Sequence, residues 1–92
     1  MFTNERYLTC GVDSTIPLEL QLFMWECVER LPEQRDYLQV FELTTSGTMQ
    51  SISHRSEKPE HHMEYMIPCD NPITATDYII DDGDHSTMLL AE

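Results

Sequence analysis

The residues best able to do chemistry gather near the end of the chain, where Asp81-Asp82-Gly83-Asp84 is followed at once by His85 and Ser86. Aspartate oxygens suit hard cations, so Asp82, Asp84 and His85 would be the ligands of a metal-binding protein or a metal-dependent enzyme. The calcium-loop spacing fails, however. With Gly83 as its central glycine, the earlier ligand positions fall on Tyr78 and Ile80 and the closing one on Leu89, which leaves only Asp82 in place. Turn chemistry explains the same residues, because Asp side chains accept neighbouring backbone N–H groups while their charge stays solvated. A second set, His54, His61, His62, His85 and Cys69, offers imidazole and thiolate to a borderline metal. His61 and His62 point to opposite sides of an extended chain, and no HExxH or CxxC spacing fixes a ligand pair. Ser86 beside His85, and Cys69 beside Asp70, are neighbours in sequence only, without a nucleophile elbow or a phosphate-binding loop. Glu57, Glu60 and Glu64 read equally well as a solvated acidic loop. The expectation is a protein without catalytic residues, metal or cofactor.

Charge says more. The 92 residues carry 17 acids against 5 bases, for a net charge of −12. From residue 70 onward the acids are Asp70, Asp77, Asp81, Asp82, Asp84 and Glu92, with no Lys or Arg among them. Such a chain repels phosphate backbones and anionic lipid, which argues against direct nucleic-acid or membrane binding. It suits a basic protein surface, with Asp70, Asp77, Asp81, Asp82 and Asp84 as the contacting residues. The N-terminus lacks the basic and apolar regions of a signal peptide, and no apolar run is long enough for a membrane span. Cys10, Cys27 and Cys69 fit reduced thiols better than a disulfide framework. A cytoplasmic protein of one globular domain over residues 1–92 follows.

These residues need elements to hold them. Arg6 to Cys10 alternates and reads as a short strand. Pro17 to about Leu31 has helical periodicity, and Pro32 stops it. In that helix Leu20, Phe23, Met24, Cys27, Val28 and Leu31 form one apolar stripe. Leu18, Leu22 and Trp25 form a second stripe nearly opposite, which demands cover from a loop, a partner or another copy of the chain. Tyr37 to Leu43 and Met49 to His54 make a hairpin about Ser46-Gly47, and Arg55 to His62, with Pro59, reads as a loop. Met63 to Ile67 alternates as a strand, with Met63, Tyr65 and Ile67 facing the core. Thr76 to Ile80 and Thr87 to Leu90 flank Asp82-Gly83 as a last hairpin. The fold class is therefore α+β: one antiparallel or mixed sheet of about five or six strands, with a single amphipathic helix packed on one face.

Several runs resemble a known group. Asn4-Glu5-Arg6-Tyr7, Ile16 to Trp25, Asp36 to Leu43, and Ile80 through Glu92 are similar to domain-of-unknown-function 960, small proteins of low-GC Gram-positive bacteria and their phages. The resemblance implies a bacterial or phage setting and no catalytic or binding residue. The reading that follows is a non-enzymatic acidic module, a regulator or inhibitor of a basic partner that handles nucleic acid. A phage or mobile-element anti-defence protein, acting for instance on a CRISPR effector, is the analogy. Alternatives are the Asp82-Asp84-His85 metal site and a homo-oligomer joined through Leu18, Leu22 and Trp25.

Overall fold

The computed structural model describes residues 5–31, 36–83 and 85–91. The chain runs β1 (Glu5–Leu8), α1 (Cys10–Thr15), α2 (Leu18–Glu29), β2 (Leu38–Ser46), β3 (Met49–Glu57), β4 (Glu60–Pro68), β5 (Ala75–Asp81) and β6 (His85–Leu90). The strands form one mixed sheet in the order β1-β6-β5-β2-β3-β4. Only the β1–β6 pair is parallel; the others are antiparallel.

Alternation decides which face is covered, since successive side chains of a strand point to opposite sides. Phe41 and Leu43 of β2, Ile52 of β3, Ile79 of β5 and Met88 of β6 are buried on one face. They pack with Val12 and Ile16 from α1 and the segment after it, and with Leu20, Met24, Cys27 and Val28 of α2. Burying side chains of this size contributes about 1.5–3 kcal/mol each. Phe23 sets its ring edge-on against Tyr65 of β4, 5.1 Å between centroids, which ties α2 to that side of the sheet. The other face carries Leu38, Val40, Tyr78, Ile80 and Leu89, all half-buried, with no helix over them among the described residues.

Two elements differ from the sequence expectation. Cys10–Thr15 is a separate short helix, so the sheet carries two helices where one was expected. Thr9 has extended dihedrals and caps it, its hydroxyl accepting from the Val12 amide, and Val12 points into the core. The residues read as a loop, Arg55 to His62, are nearly all strand: β3 runs on to Glu57, Lys58 and Pro59 make the turn, and β4 begins at Glu60. Proline here sits in a tight turn and interrupts no strand. The expected stop at Pro32 lies outside the described residues; α2 ends at Glu29 with Arg30 as its cap.

Buried amides hold the ends of the sheet. Gln50 donates to the carbonyls of Thr44 (2.9 Å) and Ile73 (3.0 Å) and accepts from the Ile73 amide (2.8 Å), pinning the segment before β5. Asp36 accepts from the amides of Leu38 (3.2 Å), Glu57 (3.1 Å) and Lys58 (3.0 Å), which anchors the β3–β4 turn to the start of β2. Partial burial works to raise the Asp36 carboxyl, and these backbone donors outweigh it and hold it low.

Candidate binding surface

The Asp-Gly turn between β5 and β6 forms as the sequence demands. Gly83 takes a positive φ of 100°, which glycine adopts without a side-chain clash. Asp81 Oδ1 accepts from the Gly83 amide at 2.8 Å, and Asp82 Oδ1 accepts from the His85 amide at 3.0 Å. Asp82 Oδ2 lies 3.0 Å from His85 Nε2. These carboxylates are therefore engaged in building the turn. Asp84 lies outside the described residues.

Among the described residues, the expected acidic aspartates do not come together as one exposed patch. Asp81 is buried on the covered face, where it pairs across the strands with Ser86. Asp77 is wholly buried, flanked by Leu90 and Phe41 in the ladder. Neither residue can meet a partner in this fold, because the alternation that buries Ile79 buries them too. Asp70 is exposed, but it follows β4, at the end of the sheet away from Asp82. Of the terminal aspartates among the described residues, Asp70 and Asp82 reach solvent, at opposite ends.

The second helical stripe also divides. Leu18 and Leu22 are 66% and 58% exposed, whereas Trp25 is only 5% exposed. Arg6 of β1 supplies the cover: its guanidinium lies 4.7 Å from the Trp25 ring centroid and pairs with Glu29 one helical turn on. Trp25 is thus a core residue and no exposed anchor.

Two polar groups in the core stand out. Asp77 has no well-formed hydrogen bond at either carboxylate oxygen, and burial pushes its carboxyl up to about 7, with the Tyr78 amide acting weakly against it. On β3, His54 stacks on Phe41 at 4.3 Å and contacts Gln39 Oε1 through Nε2 at 2.7 Å. The amide oxygen requires Nε2 to carry the proton. Gln39 in turn donates to the Asp36 carbonyl at 2.9 Å. Burial, then the nearby His61, drives His54 down to about 4, so it is neutral at neutral pH.

A cleft of about 250 Å³ is lined by Asp36, Tyr37, Val40, Arg55, Glu57 and Lys58, among others. There the Asp36 carboxylate is taken up by backbone amides, and Arg55 by Glu42 at 3.0 Å. No three His, Cys, Asp or Glu side chains among the described residues gather as a metal site. No described helix is long and apolar enough to cross a membrane.

The outward row of β4 is longer than expected, since the strand expected from Met63 already starts at Glu60. Glu60, His62, Glu64 and Met66 alternate to the uncovered face of the sheet, and Glu57 is opposite Glu60 in the register. The period-2 pattern from Glu60 to Ile67 was there to be read, but Pro59 drew the loop boundary past it.

A crystal structure described as the protein of unknown function from Enterococcus faecalis is similar to this chain. It aligns with a TM-score of 0.80 and 22% identity, over 95% of this chain and 87% of that one, which establishes a shared fold. Among curated proteins, none matches. A family described as Staphylococcal protein of unknown function (DUF960) matches residues 5–92, and the chain belongs to that family.

Proposed function

We propose that this protein works by docking on a basic protein surface, as a regulator or inhibitor and without catalysis. The observation that carries this reading is the fate of its cations. Arg6, Arg30 and Arg55, the arginines among the described residues, are each paired with an acid of the same chain: Glu29, Glu26 and Glu42. Acids such as Asp13, Glu19, Glu57, Glu60 and Asp70 are exposed, with no basic side chain within ion-pair distance among the described residues. The chain therefore offers a basic partner a negative surface and offers phosphate little attraction. A protein whose basic surface handles nucleic acid is the best fit, as a phage or mobile-element anti-defence protein would meet in a CRISPR effector.

The test is affinity capture from a Gram-positive lysate at low and high salt, with partners identified by mass. The expected partner is basic, is released by salt, and is competed off by duplex DNA, which seeks the same cations. Partners of neutral or acidic character that hold at high salt would overturn the reading.

A further inference from the structure

The sheet ends on β4, a strand of nine residues hydrogen-bonded to β3 alone among the described residues. Its far side therefore presents a row of backbone N–H and C=O groups that another strand can pair with. The opposite edge, β1, spans four residues among those described and offers less register there.

The side chains along β4 sort by face. Glu60, His62, Glu64 and Met66 point to the uncovered face, while His61, Met63, Tyr65 and Ile67 lie on the helix-covered face. Met63 and Met66 are 46% and 52% exposed, and methionine adapts readily to a new neighbour. Charges on an edge strand ordinarily block pairing. Here they also select, because Glu60 and Glu64 repel an acidic strand and favour one with cations beside them. A second copy is a poor occupant: full antiparallel overlap of β4 with itself is centred on Glu64, which would face its own copy, between chains of net charge −12.

Resting on the reading of a basic partner, we propose that the open edge of β4 is a strand-addition site for an extended segment that alternates basic and apolar residues. Its cations lie beside Glu60 and Glu64 on one face, and its apolar residues lie beside Met63, Tyr65 and Ile67 on the other. Backbone pairing supplies affinity and the alternating side chains supply specificity.

The probe is a synthetic peptide of about β4's length, alternating Lys and Val, offered to the intact protein. It should bind and slow hydrogen exchange at β4 amides. The same peptide N-methylated along its backbone keeps its charge but cannot pair, and should bind at least about tenfold more weakly. Glu60→Lys with Glu64→Lys should weaken the plain peptide by about as much, while Ser14→Lys with Thr15→Lys, which adds positive charge at exposed positions of α1, leaves it unchanged. Equal binding of the methylated peptide, or equal loss from the helix variant, would overturn the edge site. Salt-sensitive capture of a basic partner would still stand in that case. A solution mass showing paired copies, with the plain peptide excluded, would assign the edge to a second copy and overturn the proposal as well.

Discussion

Asp77→Asn should stabilise this protein by an amount that grows with pH. The Asp77 carboxyl titrates near 3.8 in the unfolded chain and at about 7 in the fold. Below the lower value both states hold the proton, and the protonated core group contributes its full stability. As pH rises the unfolded chain loses its proton first, so stability falls by about 1.4 kcal/mol per pH unit until the folded carboxyl ionises, and levels off above that. Between about pH 5 and about pH 8 the loss is about 2–3 kcal/mol. Asparagine does not titrate, so its buried amide adds only an offset independent of pH. His54 acts in the opposite sense. Held neutral with a folded value of about 4 against 6.5, it makes stability rise with pH across that interval. The two slopes offset each other in the parent protein, which is why the difference between parent and variant is the quantity to measure. Urea unfolding followed by the fluorescence of Trp25, at several pH values, gives it directly. A gap between the two proteins that stays constant from about pH 5 to about pH 8 would refute the burial argument.

Other consequences can be checked on the same unfolding assay. Asp36→Ala removes the acceptor for the Leu38, Glu57 and Lys58 amides and should cost about 1.5–3 kcal/mol, with Glu57 and Lys58 amides exchanging faster. Phe41→Ala leaves a hole in the middle of the sheet's covered face and should cost about 3–5 kcal/mol. Arg6→Ala uncovers Trp25, so its emission should shift to the red and iodide should quench it, at a cost in stability of no more than about 1 kcal/mol.

Much of the fold was legible because its signals are local. The stripe from Leu20 to Val28 is the helix face that meets the sheet, and Asp82-Gly83 is the turn of the last hairpin. The hairpin about Gly47 likewise follows from its residues. Local signals failed where the deciding partner lies far along the chain. Nothing near Trp25 says that Arg6 covers it, and nothing near Asp77 or Asp81 says that their strand turns those carboxylates into the core. An acid there reads as surface, although the alternation from Asp77 through Ile79 to Asp81 places all three on one face. The helix at Cys10–Thr15 is too short for periodicity to announce. The edge of β4 is a property of strand order, and strand order came only with the three-dimensional arrangement.

Titrating the protein with its captured partner across a salt series tests charge-driven docking most directly. Affinity should fall steadily as salt rises, and fall at constant salt when exposed acids are reversed to lysine. Affinity that holds unchanged from low to high salt would contradict it.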